Sequence, residues 1–437
     1  MALRTRTARA VEAQPGSARA WSIVGMLVLL MALNYADKLA FGLAANPIIA
    51  EFGLSDAEYG LANSAFHLPF LLSTLLVGFV ANRIRTTGIL VLIALLWGVA
   101  QVSMALATGL ALVLFARVLL GASEGPTYPL VNHTAFTWLH DSDRSLASSL
   151  LSAGGALGVL LGAPVLTWLI FDHGWRTAFV VSGLISVAWC LVWLAVGREG
   201  PVKHAGYDPN SRAPSDDALE DARVPYWRVV TSPTFVAVAL GAFAANWMIS
   251  VGLAYGPLYL QNVLDMSPEG TSNFLVVQQV FTVVVVYAAL GYLIKRMLTR
   301  GVPGRLARGV FGGACLVAAG LATVAFVLVP ALPIKLGFNI VNSVALIAFP
   351  VGGTICGQIT PPRQRAGVLG TYAALYGSAG VVAPAVTGWL AESMGQTPGL
   401  NAAFLLMGGL IAVVGALVLV AARPERDALR LAQYRRP

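Results

Sequence analysis

Charged residues are few in this chain: they make up 11% of its 437 positions, with 20 acids against 28 bases, while 57% of positions are hydrophobic. Soluble domains carry about 25% charged residues, so a soluble globule of this length would need far more polar surface. Cysteine is nearly absent. Cys190, Cys315 and Cys356 each stand alone within an apolar run, which excludes a disulfide framework or a thiolate metal site. The five histidines are scattered, and no metal-spaced cluster, catalytic triad or phosphate-cradling loop accompanies them. No catalytic residue, no metal site and no cofactor is therefore expected. A membrane-embedded enzyme or sensor is a remote alternative.

What the chain does have is long apolar runs. Crossing a hydrocarbon core takes about 20 helical residues, and runs of that order fall at 21–46, 57–81, 87–108, 110–138, 145–170, 175–197, 233–261, 270–294, 307–329, 332–357, 366–391 and 400–422. The fold class predicted is an all-α integral membrane protein with twelve transmembrane helices in two pseudo-symmetric six-helix bundles. The first run is too long for the core of a secretory signal, so it reads as a retained span.

A net charge of +8 is what a nucleic-acid binder would carry, but 24 of the 28 basic residues fall in the two tails and alternate loops on one side. That is a topology signal placing both termini in the cytoplasm. No nucleic-acid partner is expected, only the lipid bilayer. Residues 198–231, rich in Asp and Pro, cannot cross lipid and divide the chain. The expected organisation is a cytoplasmic tail 1–20, a bundle 21–197, a cytoplasmic loop 198–231, a second bundle 232–422 and a tail 423–437. Two echoes support a duplicated unit. Gly78-x3-Asn82-Arg83-x4-Gly88 recurs as Gly291-x3-Lys295-Arg296-x4-Gly301, and Ala163-Pro164-x2-Thr167 as Ala383-Pro384-x2-Thr387.

Four ionisable residues lie well inside spans: Asp37, Lys38, Arg117 and Glu124. Each costs about 2.5–3.5 kcal/mol near the bilayer centre, so they must face partners or a water-filled cavity. Arg117 and Glu124 are seven residues apart and share a helix face, about 10 Å along the axis. Asp37 and Lys38 are adjacent and project about 100° apart, toward different neighbours. If the first and fourth spans face one cavity, two titratable carboxylates and two cations line it, a set able to couple protons to an organic anion. The plainer reading is buried ion pairs that hold the bundle together, although such pairs are often no better than apolar packing. His67, in the second span, is a weaker substrate-site candidate that could titrate near neutral pH.

Asn34-Tyr35-Ala36-Asp37-Lys38, Arg117-x6-Glu124-Gly125-Pro126-x-Tyr128-Pro129, Gly174-Trp175-Arg176 and Pro257-x-Tyr259-Leu260 together resemble the anion:cation symporter family of the major facilitator superfamily. The resemblance covers essentially the whole chain and is strongest over 30–180. It implies that Asp37 and Glu124 are proton-coupling groups, that Lys38 and Arg117 bind the substrate anion or exchange salt bridges, and that Tyr35 touches substrate. It adds Asn246 and Tyr255 of the seventh span as cavity candidates.

The chain departs from that family at informative positions. Lys38 stands where Arg is usual, replacing a bidentate fork by a point charge. Phe70 and Gly377 stand where a Tyr and an Asn are common, and Asn82 replaces an Asp of the loop after the second span. Losing hydrogen-bonding groups from the site points to a substrate less hydroxylated than a sugar acid, and losing the Asp of the loop points to a weaker outward-open latch. The expected function is a proton-coupled symporter importing a small organic anion by alternating access. It would work as a monomer in the inner membrane of a bacterium, with protons as the coupling ion. A proton-coupled drug exporter on the same scaffold is the rival.

Overall fold

The computed structural model describes residues 17–80, 86–139, 141–198, 200, 224–361 and 364–434. A backbone in hydrocarbon must satisfy its own hydrogen bonds, and each apolar run is accordingly helical. The first half comprises α1 (Ala18–Leu43), α2 (Ala45–Phe52), α3 (Asp56–Val80), α4 (Thr86–Ala105), α5 (Leu110–Glu124), α6 (Thr127–Phe136), α7 (Asp141–His173) and α8 (Trp175–Val196). In the second half, α9 (Tyr226–Val230) leads into α10 (Pro233–Leu258), α11 (Pro268–Phe281), α12 (Gly291–Thr299), α13 (Phe311–Leu328), α14 (Leu332–Asn342) and α15 (Ala348–Ile359). The chain then runs through α16 (Arg365–Met394), α17 (Gln396–Ala421) and α18 (Pro424–Ala432). Among the described residues eleven helical stretches are long and apolar enough to span a membrane, and α3, at 25 residues, completes the twelve.

Local chemistry sets the ends. Ser17, Ser232 and Ser267 cap α1, α10 and α11 through their hydroxyls, supplying an acceptor for a free helical N–H. The turns after the fifth and eleventh spans are built alike: Gly174 and Gly395 have φ of 87° and 86°, a conformation that costs little only in glycine. The same backbone device at equivalent places in the two halves adds to the sequence echoes.

The fourth run is not one straight helix. It breaks between α5 and α6, where Pro126 offers no N–H to the preceding turn. Thr74 of α3 donates to the Gly125 carbonyl at 2.8 Å. A β-carbon on Gly121 or Gly125 would lie 2.0 or 2.2 Å from the Phe66 or Phe70 carbonyl oxygen, so these two glycines allow α3 and α5 to touch backbone to backbone.

The two halves meet at the end of the bundle opposite the chain termini. Tyr59 of α3 donates to the Ala254 carbonyl of α10 at 2.9 Å, and Tyr255 of α10 donates back to the Asp56 carbonyl of α3 at 3.1 Å. Around them Asn46 bonds Gln261 and Asn262, Gln396 bonds Asp56, and Glu392 accepts from the Ala57 N–H. Among the described residues every hydrogen bond between the halves lies at this far end. Nearby, Glu51 of α2 accepts from Arg176 at 2.5 Å and from the Trp175 indole at 2.8 Å. The Arg176 hydrogen bond, then the indole, hold its carboxyl below the usual range.

The tail expected beyond 422 contains α18, which folds back on the second half. Asp427 accepts from the Thr234 N–H at 3.1 Å and Glu425 from the Arg305 N–H at 3.0 Å, so both carboxylates sit at helix starts, where partial positive charge favours them. Burial pushes Asp427 up, but the hydrogen bonds from Arg426 and Thr234 outweigh it and hold the carboxyl below its ordinary value. Asn82 and the loop after the second span lie outside the described residues, as do 201–223 of the central segment.

Candidate functional site

The site begins on α1. Lys38 donates to Asn34 Oδ1, one helical turn back, at 2.6 Å, and its Nζ lies 3.3 Å from Glu124 Oε2 on α5. The faces of the Tyr35 and Phe70 rings flank the ammonium at 4.7 and 5.0 Å, contacts that favour a cation. Glu124 and Asn34 are fully buried, Lys38 is partly open, and Tyr35 is 38% exposed. The Lys38–Glu124 contact is close enough to be an ion pair but is not aligned as a hydrogen bond, and the Asn34 amide nitrogen is also without a hydrogen-bond partner. The cluster is thus a buried carboxylate, a semi-accessible cation and a bridging amide.

The other two charged residues do not join that cluster, contrary to the single chamber expected for all four. Arg117 lies between the Phe41 and Phe66 rings, at 4.5 and 4.6 Å, and its Nε donates weakly to the Ala62 carbonyl at 3.4 Å. Two helical turns from Glu124, its long side chain reaches rings on α1 and α3 and is sealed beneath them. Asp37 looks toward Gln101 of α4 and Ser182 of α8, as adjacency to Lys38 on a helix requires. The four groups occupy three environments.

Of the weaker candidates, His67 packs edge-on against Phe66 and close to Gly380 of α16, where no β-carbon would fit. It lies where the halves touch. Asn246 donates to the Tyr376 carbonyl at 3.0 Å, joining α10 to α16. Tyr255, expected to line the cavity, is instead fully buried in the far-end closure, edge to face with Tyr59 at 5.3 Å. A buried tyrosine needs a hydroxyl partner, and the Asp56 carbonyl supplies it there. Asn34 was missed as a site residue, although its spacing of four from Lys38 was the available signal. Tyr287 and Tyr376 of the second half, within electrostatic reach of Tyr35, have no sequence signal that marks them.

The profile of the Major Facilitator Superfamily matches residues 27–347. The chain belongs to the Major Facilitator Superfamily. Its relatives in that superfamily include a probable sulfoacetate transporter of Cupriavidus necator, 26% identical over 90% of this chain and 92% of that protein. A hexuronate transporter of Bacillus subtilis is 24% identical over 92% and 94% of the two chains, and a D-galactonate transporter of Escherichia coli is 23% identical over 93% and 95%. Among solved folds, a bacterial homologue of the human lysosomal transporter Spinster, in an inward-facing and unoccupied conformation, superposes with a TM-score of 0.76 at 21% identity. That match covers 95% of this chain and 98% of the other. The protein is a multi-pass membrane transporter of the superfamily's twelve-helix fold, not an enzyme, and the relatives agree with the resemblance drawn from the motifs.

Proposed function

We propose that this transporter is a proton-coupled symporter that imports a small organic carboxylate across the inner membrane of a bacterium, with both termini in the cytoplasm. The observation that carries the reading is the buried Lys38–Glu124 contact of 3.3 Å. A carboxylate and a substrate anion compete for one ammonium, so protonating Glu124 frees Lys38 for the anion. Losing that proton returns Lys38 to Glu124 and expels the anion. In that orientation the closed far end faces outward, and the structure fits the stage at which substrate leaves toward the cytoplasm. Asp37, off the cluster but within electrostatic reach of Glu124, is the second proton-coupling group in this reading. Arg117, held between rings, supports the positive field of the site. Its direct contact with substrate would require Phe41 or Phe66 to move.

Phe70 beside Lys38 and Gly377 on α16 bring no polar side chain to the site, which supports a substrate less hydroxylated than a sugar acid. Proteoliposomes test the coupling. Glu124→Gln should abolish accumulation driven by a pH gradient while retaining substrate exchange, because a glutamine leaves Lys38 permanently available. Full concentrative uptake by this variant would refute the assignment.

A further inference from the structure

Tyrosines of both halves stand exposed within the spans. Tyr35 is 38% exposed, with Asn34 at 2% and Asp37 at 3% on the same helix, and Tyr128 and Tyr287 are 46% and 47% exposed. Tyr35 cannot be pointing into lipid: its ring carries the Lys38 ammonium on one face and is packed against Gly155 of α7. Tyr35 lies within electrostatic reach of Tyr128 in its own half and of Tyr287 and Tyr376 in the other. Tyr376 precedes Gly377, which meets Leu71 of α3, and sits one turn before Gly380, which meets His67. That face of α16 is therefore turned toward the first half. Phe349 stands edge-on to the Tyr376 ring at 5.1 Å and helps fix it.

Rings of both halves thus lie within reach of Tyr35, whose own ring carries the partly open ammonium of Lys38. Phe70 flanks that charge, and Arg117, the other cation nearby, is sealed. A polyhydroxylated chain would have to find a partner for each buried hydroxyl, whereas ring edges and faces are what these walls supply. We propose that the substrate is an aromatic monocarboxylate, its carboxylate at Lys38 and its ring between Tyr35 and Tyr376. The assignment rests on the anion-transport reading above and narrows its substrate class.

Thermal-shift titrations of the purified full-length protein with benzoate, cyclohexanecarboxylate, glucuronate, sulfoacetate and benzamide test it. Benzoate should bind about tenfold more tightly than cyclohexanecarboxylate, the scale of one or two aromatic contacts, and more tightly than glucuronate or sulfoacetate. Tyr376→Leu should shrink the ratio of benzoate to cyclohexanecarboxylate toward one, and Lys38→Met should abolish benzoate binding. Equal binding of the two ring acids, or tighter binding of glucuronate or sulfoacetate, would overturn the aromatic assignment and leave the anion reading standing. Benzamide binding as tightly as benzoate, or no response to any of the acids, would overturn the anion reading itself. Because the wild-type ranking alone decides the substrate class, poor folding of either variant would not rescue the proposal.

Discussion

Replacing Tyr59 and Tyr255 together by phenylalanine should move the balance between the closed and open far end about thirtyfold toward open. Each hydroxyl donates one buried hydrogen bond to a carbonyl of the opposite half, at 2.9 and 3.1 Å. A buried hydrogen bond contributes about 1 kcal/mol net, so the pair contributes about 2 kcal/mol to the closed form. At roughly 1.4 kcal/mol per factor of ten, that is about thirtyfold. Phenylalanine keeps the edge-to-face ring contact of 5.3 Å, so the change isolates the hydroxyls. Nitroxide labels at Asp172 and Glu269, exposed residues in opposite halves, would report the two populations by pulsed electron resonance once Cys190, Cys315 and Cys356 are replaced. Each single variant should give about fivefold, and because the two rings touch, the double variant also reads any coupling between them. A double variant that shifts the ratio less than threefold would show that these hydroxyls do not hold the halves together.

Two predictions concern contacts outside the spans. Arg176→Gln should lower the unfolding temperature at pH 7, and the difference should narrow in acid to what the Arg176 contacts with the Ala107 carbonyl and the Trp175 ring contribute. The sign follows from Glu51, whose carboxyl is held low by Arg176: the contribution is complete above the ordinary glutamate value and is lost as pH falls through the depressed one. A difference that persists unchanged in acid would contradict this. Asp427→Ala should cost about 1 kcal/mol, the usual loss for a helix-start acceptor. It should also speed amide exchange at Thr234, and unchanged protection there would mean that α18 does not brace α10.

Much of the fold was legible because hydrocarbon leaves the chain few choices. Twelve apolar runs gave twelve spans, the fourth of them divided at Gly125 and Pro126. The site was legible in part. Lys38 and Glu124 stood out as charges in an apolar setting, and they do meet. Asp37 and Arg117 carried the same signal, yet helix rotation turns one toward α4 and α8, and aromatic rings enclose the other. Composition cannot register either effect, since both depend on which neighbour each helix face meets. Tyr255 went astray for a related reason: its height along α10 places it in the closure between the halves, and residue type does not encode height. The tyrosines of the second half were invisible because only the packing of the two halves brings them within reach of Tyr35.

The break after Glu124 has a mechanical consequence. Pro126 cannot donate to the Ala122 carbonyl, so the helix lacks one rung beside its buried carboxylate. Below this point α6 is tied sideways to α7, by Tyr128 to Ser152 and by Ser148 to Asn132 at 3.1 and 2.6 Å. The stretch above is pressed against α3 through Gly121. The fourth span is therefore two levers on one pivot, and the buried carboxylate of Glu124 sits on the pin.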